Sequence, residues 1–143
     1  VGAAAGRLET GGRAENGAAM HNVAAGLFAQ AIAEMATLAQ ALGGDPATAA
    51  GLAGAGDLYV TCLAGRNSRM GRLLGLGRAY GDAKANDMPG DTVEGAELAR
   101  ALGPTLERMI ETGRLPGAKL PLMGAVLDAI NRDRPLAWDF AQF

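Results

Sequence analysis

The apolar positions of this chain fall mostly at intervals of three and four. Met20, Val23, Leu27, Ile32, Met35, Leu38 and Leu42 follow that spacing, widened by Phe28, and mark the buried stripe of one long helix. Asn16 is placed to cap its start and Gly43-Gly44 to end it, which gives about 25 residues and makes it the backbone of the domain. Upstream, Val1 to Glu9 reads as the tail of a helix stopped at Thr10-Gly11-Gly12, and Arg13 to Glu15 as linker. Asp45-Pro46 restarts the chain, with Asp45 as N-cap and Pro46 at the first helical position of a short helix from Ala47 to Ala53. Leu58 to Leu63 is β-branched only at Val60 and Thr61, so its strand propensity is slight and its neighbours favour helix.

Asn67 is placed to cap a helix from Ser68 to Leu76, closed by Gly77. Tyr80 to Gly90 carries Asp82, Lys84, Asn86, Asp87 and Pro89, turn and surface residues, and reads as the least structured part. Asp91 or Thr92 then caps a helix from Val93 to Leu102 that stops at Gly103-Pro104. Thr105 caps another from Leu106 to Thr112, stopped by Gly113. Arg114 to Lys119 is loop. A last clear helix runs from Leu120-Pro121-Leu122 to Asn131, with Met123, Val126, Leu127 and Ile130 on one face. Pro135 to Phe143 reads as a final turn or short helix in which Trp138 packs on the bundle. No stretch demands a strand. The predicted fold class is all-α, about six to eight helices with short capped connections.

Composition narrows the picture. A chain of 143 residues fits one domain, and an apolar share of 49% supports a core. Aromatics are only 4% and glycines number 22, so that core must rely on close helix approach. A net charge of −2 gives no reason to expect nucleic acid or a membrane surface as partner. Cys62 is the single cysteine, which excludes an intramolecular disulfide and fits a reducing, cytoplasmic compartment. No uninterrupted apolar run has the length of a membrane span. Val1-Gly2-Ala3-Ala4-Ala5 is followed at once by Arg7 and Glu9, unlike a signal peptide. The chain opens on Val within what reads as mid-helix, so a fragment of a longer protein is expected. One Cys and one His far apart make no metal-ligand set, and no nucleophile–base pair suggests covalent catalysis.

The candidate chemistry is concentrated between Gly51 and Gly71. Glycines at 51, 54 and 56 let a backbone or a ligand come close. Asp57 stands between Gly56 and the apolar Leu58-Tyr59-Val60, so a half-buried carboxylate with a partner is expected. Arg66 offers a planar fork of donors suited to phosphate, and Asn67 adds a donor and an acceptor. From the residues alone, a glycine-mediated helix contact with a structural Asp–Arg pair accounts for the same pattern. Arg69 and Arg72 read as a solvated face. Glu94 sits in the first turn of its helix, where negative charge is favoured.

Gly-Leu-Ala-Gly-Ala-Gly-Asp-Leu-x-x-Thr-Cys from Gly51, then Gly65-Arg66-Asn67-x-x-x-Gly71, then Val93-Glu94-Gly95, resembles the C-terminal domain of NAD(P)-dependent sn-glycerol-3-phosphate dehydrogenase. The resemblance runs in order from roughly Asn16 to Leu136 and links several motifs. It implies that residues 1–143 form the multi-helix, substrate-binding C-terminal domain of a two-domain dehydrogenase of the 6-phosphogluconate-dehydrogenase-like type. No Gly-x-Gly-x-x-Gly is present, so the Rossmann domain is absent from this chain. By the resemblance, Asp57 lies in the substrate pocket and supports the catalytic lysine, and Arg66 and Asn67 contact the substrate phosphate. Arg66, Thr92 and Glu94 contact the cofactor, NAD or NADP. Gly65 replaces the family's usual Ser, which leaves only a backbone contact there, and Gln30 replaces a frequent Arg. The family's lysine belongs upstream of Val1; Lys84 and Lys119 match no motif. The implied full reaction is reversible hydride transfer between NAD(P)H and dihydroxyacetone phosphate, giving sn-glycerol 3-phosphate for phospholipid synthesis, with the isolated fragment inactive. A helical dimerisation module, or a related dehydrogenase for another hydroxy-substrate, are the alternatives; a homodimer is left open.

Overall fold

The computed structural model of the chain describes residues 21–137. Its helices, in order, are α1 (His21–Ala41), α2 (Pro46–Ala50), α3 (Asp57–Leu63), α4 (Arg66–Gly75), α5 (Tyr80–Asn86), α6 (Glu94–Glu111) and α7 (Pro121–Asn131). A π-helical turn, Leu52–Gly56, joins α2 to α3, and a 3-10 turn, Gly117–Lys119, precedes α7. There is no strand among the described residues, as expected. The readings at Asn16, at Met20, over residues 1–15 and at Trp138 lie outside the described residues.

Several local signals act as read. Asp45 Oδ1 accepts the Ala47 N–H at 2.9 Å with Pro46 at the first helical position. Gly43 and Gly77 take positive φ after α1 and α4. Gly54 has to be glycine: a Cβ there would stand 1.8 Å from the Ala49 carbonyl oxygen and 2.7 Å from Met35 Cε on α1.

Three readings are corrected. Tyr80 to Asn86 is the helix α5, with Tyr80 3%, Ala83 0% and the following Met88 1% exposed. Its polar residues mask an apolar edge at three-and-five spacing. Glu94 to Glu111 is one helix rather than two, with Pro104 inside it. Proline removes an N–H and usually ends a helix. Here α6 runs on because its C-terminal half is anchored by apolar packing of Leu106, Met109 and Ile110, and Asn131 Nδ2 donates to the Ala99 carbonyl in the turn before Pro104 at 3.2 Å. Third, α1 reaches 21 residues and is apolar enough, by length and composition, to cross a membrane, although no uninterrupted apolar run was read there. Within the domain it behaves as a bundle helix: it packs against α2 and α7, and its buried residues are Leu27 and the charged Glu34.

Two apolar clusters sit at the two ends of α6. One gathers Met70 and Leu74 of α4, Tyr80 and Ala83 of α5, Met88, Val93, Ala96 and, from α7, Ala129 and Ile130. The other joins Met109, Leu115 and Leu120 with Leu38 and Ala41 of α1. The face predicted for α7 is shifted: Ala129 and Leu127 are buried with Ile130, while Val126 is 38% exposed.

Between these clusters the helices are joined by their starts. The N-cap positions of α5, α6 and α7 are Ala79, Val93 and Leu120, and none supplies a side-chain cap. Residues distant in sequence supply it instead. Asp133 Oδ1 accepts the Gly81 N–H at 2.7 Å, and Asn67 Oδ1 accepts the Gly95 N–H at 2.9 Å. Glu34 accepts the Leu122 and Met123 N–H groups, each at 2.7 Å.

Candidate functional site

The loop between α3 and α4 brings the motif residues together. Gly65 takes φ 103° and ψ 175° and stands as the N-cap of α4. Asn67 therefore lies inside α4 and does not cap it, against expectation. Its side chain is free to reach across to the second residue of α6, Gly95. Beside it, the Arg66 guanidinium is hydrogen-bonded and ion-paired with Glu94. Arg66-Asn67 is thus docked on Glu94-Gly95, motif upon motif, from 28 residues away.

This docking frames a polar hollow of about 400 Å³ lined by Val60, Thr61, Ala64, Gly65, Arg66, Asn67 and Glu94. The Arg66 and Glu94 side chains are 51% and 52% exposed on its rim. Thr61 and Asn67 also line a second, apolar cavity of about 300 Å³, walled by residues such as Leu58, Cys62, Met70, Val93 and Ile130. These two side chains therefore form the partition between a polar opening and an apolar interior. Burial pushes the Cys62 thiol up from its usual range, and Ser68 Oγ donates to the Cys62 carbonyl at 3.0 Å, which ties the end of α3 to α4.

The predicted residues divide accordingly. Gly65, Arg66, Asn67 and Glu94 share the polar hollow. Thr92 is exposed in the extended stretch before α6 and is absent from the hollow's lining. Asp57 is exposed as well, not half-buried, at the point where the π-helical turn runs on into α3. It lines neither cavity, but residues three and four apart share a helix face, so Asp57 stands one turn above Val60 and Thr61 of the hollow. Arg69 is not merely solvated: it reaches Asp91 at 3.1 Å and the Asp87 carbonyl at 2.7 Å, pinning the turn before α6. The hollow presents a planar cation, an amide and the start of a ten-residue helix, a donor set for an oxyanion, with one carboxylate facing them. No group of three or more His, Cys, Asp or Glu that could hold a metal occurs among the described residues.

Residues 9–137 match the family model described as NAD-dependent glycerol-3-phosphate dehydrogenase C-terminus. The chain belongs to this family. Its relatives include the NAD(P)+ glycerol-3-phosphate dehydrogenases of Chlorobium limicola, 35% identical over 80% of this chain, and Halorhodospira halophila, 38% identical over 80%. That of Geobacillus thermodenitrificans is 36% identical over 76% of the chain. The matched part is 32%, 32% and 30% of those three proteins, so the chain spans about a third of their length. No solved structure matches it.

On α1, Gln30 donates from Nε2 to Glu34 Oε1 at 2.8 Å. Glu34 itself was not singled out from sequence. Two signals pointed to it: it is the one Asp, Glu, Lys or Arg in the 21 residues of α1, and α7 begins at Pro121 with no capping residue before it.

Proposed function

We propose that this chain is the substrate-binding part of an NAD(P)-dependent glycerol-3-phosphate dehydrogenase that works in the cytoplasm. The observation that carries the reading is the convergence of Arg66, Asn67 and Glu94, from two separate motifs, on one polar hollow. In this reading Arg66, Asn67 and the backbone at Gly65 hold the phosphate of dihydroxyacetone phosphate or glycerol 3-phosphate. Asp57, one turn away on α3, orients the reacting end of the substrate and steadies the lysine that acts as general acid toward the carbonyl. The nicotinamide cofactor, when bound, supplies or takes the hydride. The residues present fit one edge of it: a guanidinium and a carboxylate on an open rim, Arg66 and Glu94, with Thr92 close in sequence. The glycine-rich cradle for its phosphates is not among this chain's motifs, so its main platform belongs to another domain.

Two measurements test this. Glycerol 3-phosphate titrated into the 143-residue chain should bind weakly, and Arg66→Ala should weaken it further; equal affinity removes the phosphate assignment. The chain alone should not oxidise NADH with dihydroxyacetone phosphate, and fusion behind the dinucleotide-binding half of a relative should restore turnover.

A second reading, a helical dimerisation module, is favoured by one observation. The α3 side chains Tyr59, Val60 and Leu63 are 59%, 65% and 60% exposed, and Leu52 beside them 90%. Sedimentation equilibrium of the chain decides it: a dimer lost in Leu63→Asp supports the module, and a monomer refutes it.

A further inference from the structure

Three side chains at the start of α4 hold the approach to α6. Arg66 pairs with Glu94, and Asn67 accepts the Gly95 N–H at 2.9 Å. One turn further along, Arg69 reaches Asp91 at 3.1 Å and the Asp87 carbonyl at 2.7 Å. Arg69 is not part of the hollow's lining. It differs from Arg66 in what it grips, a backbone carbonyl as well as a carboxylate, so it fixes main chain. The turn it grips is also held from the other side. Lys84 of α5 donates to the Met88 carbonyl at 2.9 Å and to the Pro89 carbonyl at 3.3 Å, and Arg78 pairs with Asp87 at 3.0 Å. Met88 within the turn and Val93 beyond it are buried. Residues 87–91 thus form a fixed block in front of Glu94. Arg69 links that block to the helix that carries Arg66 and Asn67.

We propose that Arg69 is a positioning residue for the anion site. Its two nitrogens hold the entry of α6 in register with α4, which keeps Gly95 against Asn67 and so sets how Arg66 and Asn67 face the hollow. Arg69 itself touches no ligand. The inference rests on Arg66 being the phosphate site, as in the reading above.

The test is a titration of glycerol 3-phosphate into the full chain, for the parent, R66A, R69A, R69K and D91A. Each is given a thermal melt, and amide exchange is followed at Gly95 and Leu122. R69A should bind about fivefold more weakly than the parent. Its melting midpoint should change little, because the Arg69–Asp91 pair is largely exposed. R69K should recover only part of the loss, since a single nitrogen replaces a fork. D91A should also weaken binding although it removes a negative charge, whereas a field effect alone would strengthen it. The Gly95 amide should exchange faster in R69A, and the Leu122 amide, held by Glu34, should not. R69A matching the parent, R69K restoring it fully, or D91A binding more tightly overturns the positioning role while R66A still marks the anion site. A collapsed melt in R69A and D91A overturns it too, since the contacts would then hold the fold and not the site. Parent and R66A binding alike, or neither binding, removes the phosphate reading and the proposal with it.

Discussion

Gly65 holds a φ of 103° that side chains other than glycine's rarely adopt, and the turn it makes delivers Arg66 to the hollow. Gly65→Ser should cost about 1–3 kcal/mol of backbone strain, measured as a lower urea midpoint. An unchanged midpoint would mean that the turn relaxes without loss. The same geometry explains why Asn67 was misjudged. Asparagine near a helix start reads as a cap, but only backbone conformation decides which helix it caps. Cys62 is a free, partly buried thiol. Since burial raises its pKa, less thiolate is present at a given pH, and alkylation by iodoacetamide at pH 8 should be slower than in the urea-unfolded chain. Equal rates in the two states would contradict that environment.

At the level of elements, periodicity located α7 and the end of α1, and local caps located the start of α2, because Asp45 and Pro46 act within their own turn, while its end falls at Ala50 rather than Ala53. The signals failed where the satisfying group comes from elsewhere. Glu34 is the clearest case: Glu34→Ala leaves the first turn of α7 without its acceptor and should destabilise the domain by about 2–4 kcal/mol. Glu34→Gln keeps one oxygen and should cost less. Similar losses for the two variants would argue that charge, not acceptor count, holds α7. The start of α5 carries a surface network. Arg78 is bonded to Asp82 at 2.6 Å, and Asn86 donates to Asp82 at 2.7 Å. The Arg78 hydrogen bond, then the Asn86 one, holds the Asp82 carboxyl below its ordinary range. Its stabilising contribution is therefore complete above the unfolded carboxylate pKa and is lost as pH falls through the lower folded value. Asp82→Asn should lower stability near neutrality and flatten the acid limb of the stability–pH curve, so that variant and parent converge below about pH 4. A parallel offset at every pH would refute the linkage.

For the whole molecule, the helical class and the motif order were legible because they are carried by spacing and by residue type along the chain. The pairing of Arg66 with Glu94, and the openness of Asp57, were not, because both depend on how α3, α4 and α6 are set against one another. Three helix starts are secured by Asp133, Asn67 and Glu34, which lie 52, 28 and up to 89 residues from the amides they hold. Helix ends ordinarily fray first, and their leading amides exchange with solvent fastest. Here that order inverts. The amide protons of Leu122 and Met123, and after them those of Gly95 and Gly81, should wait in deuterated buffer for the entire bundle to come apart, outlasting mid-helix amides on the open side of α1.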